Sequence, residues 1–316
     1  MTVRWIPLGV LVLAQICYPL TRGDVRTGLT VATVVLGFAI SVGHAAVTRG
    51  VRTAGALVVV AAGGGLLVEA TGVHTGFPFG GYDYSGQLGP KLLGVPVIIP
   101  LAWAWMAWPA WLSAGRVVSS PVPRVLLAGA GLAAWDLFLD PQMVAAGHWA
   151  WDSPEPALPG VPGIPVTNYL GWLLVAIVMA GFLSVSTDKS VDGVVDAPMY
   201  GLYLWTYGSS IMAHAVFLGL PASAAWGAIG MAVLAIPLAA TLFRAKRSSG
   251  LPAKRSSGLP AKRSSGLPAK RPDGVPATRP DRSGTNVSVG SDGDGADAEA
   301  PDAPAGDAHP SGTAAR

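Results

Sequence analysis

Eight apolar runs separated by short polar breaks, at 5–20, 28–47, 54–70, 92–112, 125–140, 166–184, 198–220 and 222–243, most constrain what this chain can fold into. Most approach the roughly 20 residues a helix needs to cross a bilayer. Lipid offers no partner to a bare peptide group, so such runs fold as helices that satisfy their own backbones. The spacing predicts an all-α, polytopic membrane helix bundle of about eight transmembrane helices, or seven if the first run is not a span. That first run is short and follows Arg4, as a signal peptide would. No small-residue cleavage site comes after it, so it reads as a retained helix.

Hydrophobic residues make up 51% of the chain and charged residues only 12%, with a large share of the charge after residue 244. This divides the chain into a transmembrane helical domain, 1–244, and a disordered low-complexity tail, 245–316. In the tail AKRSSGLP occurs three times before a degenerate copy, AKRPDGVP. A segment without aromatics and with few aliphatics buries too little apolar surface to offset its ordering entropy. Its basic half would lie beside anionic lipid as a solvated tail without a catalytic role. Arg4, Arg49, Arg52, Arg116, Arg124, Lys189, Arg244 and Lys246 fall on one side of the eight-helix arrangement, against Arg22, Arg26 and Lys91. The positive-inside rule then gives a multi-pass protein of the cell membrane with both termini cytoplasmic. Cys17 is the single cysteine, which excludes a disulfide framework and a cysteine-based metal site.

Against this apolar background, WDLFLDPQMVAAGHWAWD at 135–152 is anomalous. An ionisable residue at membrane depth marks a functional site by default, because hydrocarbon cannot solvate it. Asp136 and Asp140 are four residues apart, so both carboxylates share a helix face. Pro141 follows, which predicts that the helix ends at Asp140. Two carboxylates in a poorly hydrated place do not both ionise easily, so one is expected to hold a proton. Helix counting places Glu69, His74, Tyr82, Asp83, Tyr84, Asp136, Asp140, His148, Asp152 and Asn168 on one extracytoplasmic rim.

Tyr200, Tyr203, Tyr207, Ser210 and His214 recur at helical spacing and form an inward face of the seventh run, with His214 nearer the rim. A lone intramembrane histidine is as often a hydrogen bonder between helices as a catalyst. His44 lies far from the cluster and reads as structural. In the fourth run, Trp108 and Trp111 approach the cytoplasmic end, where indole belts are normal, and Trp103 and Trp105 are deeper. Packing or belt duty is the ordinary role of each, although an aromatic face can also stabilise a cation. Neither a Walker A sequence nor a G-x-G-x-x-G opening a helix is present, and Gly63, Gly64 and Gly65 suit close helix packing. The carboxylates and His148 show no recognised metal-ligand spacing.

The stretch TGVHTGFPFGGYDYSGQLGPKLLGVPVIIPLAW after Glu69, together with WDLFLDPQMVAAGHWAW and GIPVTNYLGW, resembles the integral-membrane carotenoid biosynthesis family. That family includes the carotenoid 1,2-hydratases and bisanhydrobacterioruberin hydratase. The resemblance covers residues 5–243 and is strongest at 69–103 and 135–172; SPEPALPGVPG departs from it, and the tail lies outside it. It implies a cofactor-independent hydro-lyase that adds water across the terminal C1=C2 bond of an acyclic C40 or C50 carotenoid such as lycopene. A carboxylic acid would protonate the alkene, and water would capture the tertiary cation. Asp136, Asp140 and Glu69 are then the expected catalytic residues. Tyr82, Asp83, Tyr84, His148, Trp149, Trp151, Asn168, His214 and Tyr207 are the expected substrate contacts. Implied partners are the lipophilic carotenoid, membrane lipid and other enzymes of the pathway, with no nucleic acid, metal or cofactor.

Three rivals are weighed beside this. A carotenoid end-group cyclase shares the protonation but excludes water. A membrane prenyltransferase would use the D-x-x-x-D of Asp136 and Asp140, yet needs a second aspartate-rich motif. A non-enzymatic pigment-binding protein would need the tryptophans but not the clustered carboxylates.

Overall fold

The computed structural model describes residues 5–187 and 192–250. Its helices are α1 (Ile6–Cys17), α2 (Gly23–Arg49), α3 (Val51–Thr75), α4 (Ile98–Val117), α5 (Pro121–Ala145), α6 (Val166–Ser186), α7 (Ala197–Met212) and α8 (Pro221–Gly250). Val58–Gly63 within α3 and Ala213–Phe217 after α7 are π-helical turns. Among the described residues, α2, α3, α5, α6 and α8 as far as Arg247 are long and apolar enough to cross a membrane. Arg4, Lys189 and the repeats beyond Gly250 lie outside the described residues.

α4 is not among those five, because tryptophan and proline replace aliphatic residues in it. It is instead the enclosed axis of the bundle, buried almost continuously from Ile98 to Ala114 and packed by α2, α3, α5, α6, α7 and α8. Large indoles on a central helix need bare backbone opposite them. Gly65 of α3 supplies it: a Cβ there would stand 2.8 Å from the Trp103 ring. The same is true of Gly37 beneath Trp105, whereas Gly64 faces open space.

Two prolines interrupt buried helices without ending them, and the reason is the same in both. Proline has no N–H, so the carbonyl four residues before it loses its helical donor. Before Pro109 that carbonyl is Trp105 O, which accepts from Ser41 Oγ of α2 at 2.8 Å. Before Pro141 it is Leu137 O, which accepts from Ser223 Oγ of α8 at 2.7 Å. A hydroxyl from a neighbouring helix thus replaces the lost bond. This corrects the expectation that α5 stops at Asp140: it runs on to Ala145.

The long connections carry short strands that no apolar run announced. Tyr82–Tyr84 (β1) pairs antiparallel with Trp149–Trp151 (β4), and Ala157–Leu158 (β5) with Val161–Pro165 (β6). Lys91–Leu92 (β2) pairs with Val95–Pro96 (β3) around Leu93 and Gly94, both at positive φ, as a tight hairpin turn of the I′ kind demands. The fourth helix therefore begins at Ile98 and not at 92.

Candidate active site

The β1–β4 ribbon roofs one end of the bundle. Its register sets Tyr82 opposite Trp151, Asp83 opposite Ala150 and Tyr84 opposite Trp149. Because successive strand side chains alternate in direction, the four aromatic residues turn inward and Asp83 turns out. Beneath them is a cavity with about 40 Å³ of open volume, bordered also by Glu69, Phe79, Trp103, Asp140, Asn168 and Trp172.

Glu69, on the last turns of α3, is buried and ringed by neutral donors. Tyr84 OH donates to its Oε2 at 2.7 Å, Tyr82 OH donates to the same oxygen, and Trp103 Nε1 donates to Oε1 at 2.9 Å. Burial, followed by the charge of Glu69, pushes both tyrosine hydroxyls well above their ordinary value. They therefore remain protonated donors at any working pH.

Asp136 and Asp140 form the second acidic group. One amide joins them: Asn168 Nδ2 of α6 donates to Asp136 Oδ2 at 2.9 Å and also to Asp140 Oδ2. Trp149 Nε1 donates to Asp140 Oδ1 at 3.2 Å, whereas Asp136 Oδ1 has no hydrogen-bond partner among the described residues. Asp140 borders the cavity and Asp136 sits behind it, fully buried. Among the described residues neither aspartate, nor Glu69, pairs with a lysine or arginine. No fixed cation among them therefore neutralises any of these three carboxyl groups.

The walls are aromatic. Trp103 stacks on Trp172 with centroids 3.8 Å apart, Trp135 meets Trp172 edge-on, and Phe79 packs against Tyr82 and Trp172. Trp172 and Phe79 were not singled out from the sequence. For Trp172 a signal existed: it stands four residues after Asn168, on the same face of α6.

The structure does not bring every expected contact to the cavity. His214, fully buried, lies within hydrogen-bond distance of Ser223 Oγ (2.9 Å) and Gln142 Oε1 (3.2 Å), and Tyr207 OH donates to Ala228 O at 3.2 Å. Both join helices and neither borders the cavity. His148 is buried just outside it, both ring nitrogens without a partner among the described residues, and burial lowers its imidazole pKa. Its neighbours on the chain, Trp149 and Trp151, do line the cavity. Of the packing and belt roles weighed for Trp108 and Trp111, burial favours packing: both are fully buried, Trp108 donating to His44 Nδ1 at 3.1 Å and Trp111 lying 3.8 Å beneath the Arg124 guanidinium. Among the described residues no three or more His, Cys, Asp and Glu side chains are grouped as a metal site.

A helix bundle of this apolarity, with five helices long and apolar enough to cross a bilayer among the described residues, is that of a membrane protein. The chain belongs to the carotenoid biosynthesis protein family, whose model matches residues 29–234. Among its relatives is the bisanhydrobacterioruberin hydratase of Haloarcula japonica, 37% identical over 123 residues. That match takes in 36% of this chain and 40% of the relative, so it spans well under half of that protein. No solved structure matches the chain. The protein is thus a membrane protein of carotenoid biosynthesis, similar in part to an enzyme named as a hydratase.

Proposed function

We propose that the chain is a carotenoid hydratase that adds water across the terminal C1=C2 bond of an acyclic C40 or C50 carotenoid end group, without a cofactor. The observation that carries this reading is the Asp136–Asn168–Asp140 cluster, free of any cationic partner among the described residues and opening through Asp140 onto an aromatic cavity. Two carboxylates bridged by one amide in a dry place share one proton between them. Asp140 delivers that proton to C2, since it is the member that faces the cavity. The positive charge at C1 lies among Trp103, Trp172, Tyr82 and Trp149, whose ring faces stabilise a cation, while the carboxylate of Glu69 opposes it electrostatically. Water bonds through its oxygen to C1 and gives up a proton to the aspartate pair, which restores the acid and leaves a tertiary alcohol. The reaction is redox-neutral and consumes only alkene and water.

The eight helices are read as eight crossings of the cell membrane with both termini cytoplasmic, which places the chamber in the extracytoplasmic half. Supporting this is the distribution of charge: Arg49 and Arg116 lie toward the end of the bundle away from the ribbon. Only the end group of the carotenoid enters the chamber, and the rest of the polyene stays in lipid.

The test is to express the chain in a host that makes lycopene and, separately, in one that makes an acyclic C50 precursor. Products heavier by one water are expected from at least one of them. Unchanged carotenoid in both hosts would overturn the reading, and an isomer of equal mass would replace it with end-group cyclisation.

A further inference from the structure

A second cavity lies beside the first, between the α1–α2 turn and helices α2, α4, α5 and α7, with about 110 Å³ of open volume. Its lining is polar for a place so deep in the bundle, with Gln15, Tyr18, Thr33, Gln142, Thr206 and Ser210 among its walls. Three buried groups on its border have no hydrogen-bond partner among the described residues: Thr206 Oγ1, Trp105 Nε1 and the hydroxyl of Tyr18. These residues are only 2%, 5% and 7% exposed. Tyr18, Thr30 and Gln142 line this space together. A buried donor or acceptor without a partner is costly, and native structures satisfy such groups with protein or with ordered water. A polar cavity needs about 10–15 Å³ to hold one water, so this one has room for several.

The two cavities share Thr30, Val34, Leu139 and Met143 as a common wall. Along α5, Asp140 borders the first cavity, Gln142 the second, and Leu139 and Met143 border both. The catalytic cavity is small enough that an end group seated in it leaves little room for a water reservoir. Hydration nevertheless needs a water at C1 as soon as the cation forms.

We propose that the second cavity is a water chamber that binds water through Tyr18, Thr206 and Trp105 and delivers it past Thr30 and Leu139 to the cation. The proposal rests on the hydration reading given above. Its consequence is that protonation and water capture are separable. With the chamber made apolar, the cation still forms by proton transfer to C2, but it loses a proton and returns to alkene before water arrives.

The experiment uses the full chain in lipid vesicles with an acyclic carotenoid in heavy water, comparing the unaltered protein with the near-isosteric double variant Tyr18→Phe, Thr206→Val. Hydrated product and deuterium in the recovered alkene are both measured by mass spectrometry. The unaltered protein is expected to yield deuterated alcohol. The double variant should make at least tenfold less alcohol while deuterium accumulates in unhydrated carotenoid, and that retained exchange also shows that the variant is folded. Equal hydration by both proteins, or loss of exchange and hydration in the same proportion, overturns the chamber. Should the double variant fail to accumulate, Thr206→Val alone is read by the same ratio. Absence of both exchange and hydration in the unaltered protein overturns instead the hydration reading on which the chamber depends.

Discussion

The two ends of the bundle bury carboxylates among tryptophans and histidines, yet they treat the charge in opposite ways. At one end Asp196, fully buried, meets Arg49 through two contacts, of 2.6 and 2.7 Å, and also accepts from the backbone N–H of Asp192. His44 is bound to Trp108 and to Val195 O. At the other end, among the described residues, the hydrogen-bond donors to Glu69, Asp136 and Asp140 are indole, phenol and amide groups. α2 joins the two regions, for Thr30 borders the cavity and Arg49 lies 19 residues on, about 28 Å away along a helix. A buried acid bound to a fixed cation serves as a clasp. An acid that no fixed cation neutralises is the kind of group general acid catalysis requires.

The comparison predicts opposite phenotypes for two similar substitutions. Asp140→Asn should lower turnover by about 10²–10⁴-fold, the usual worth of a positioned general acid, with the melting temperature little changed. Rates measured on membrane-reconstituted protein check this, and a variant with full activity would break the assignment. Asp196→Asn should do the reverse. Removing one partner of a buried ion pair costs about 3–5 kcal/mol of stability, so thermal unfolding should shift strongly while turnover per folded molecule stays near that of the unaltered protein.

A smaller effect is expected where packing and site meet. The added Cβ in Gly65→Ala would stand 2.8 Å from Trp103, whose indole both stacks on Trp172 and donates to Glu69. Overpacking of this kind costs about 1–3 kcal/mol, and here it should lower activity as well as stability, whereas Gly64→Ala, facing open space, should do neither. The smallest effect concerns His148. Burial lowers its folded-state pKa, so below the ordinary value of about 6.5 the unfolded chain binds a proton that the folded chain refuses. Stability from this group is present above that pH and is lost as pH falls through it. His148→Leu should therefore flatten the acid limb of a stability–pH curve below about pH 6.5, and an unchanged limb would count against the burial argument.

Helix positions were legible because a backbone in lipid has few alternatives, and runs such as 28–47 and 166–184 could hardly fold otherwise. The end of α5 was misread for an equally physical reason. Pro141 does remove a helical hydrogen bond, but the replacement at Leu137 O comes from Ser223, 86 positions along the chain from Leu137, and nothing near Pro141 announces it. The acids of the site were legible from the cost of charge in an apolar run. The ribbon was not, since β1 and β4 are three residues each and their pairing joins segments 67 positions apart. Missing that pleat grouped Asp83 with Tyr82 and Tyr84, although alternation turns it away from them. The stripe ending at His214 does face inward, but toward Ser223 and Gln142, where a helix-packing role suffices.

The central claim is that water is captured by a carbocation raised by Asp140. Its most direct test is reconstituted protein with an acyclic carotenoid in heavy-oxygen water under anaerobic conditions. The account predicts a tertiary alcohol that carries the heavy oxygen and forms without added cofactor. An alcohol that lacks the label, or that appears only when molecular oxygen is supplied, would contradict it.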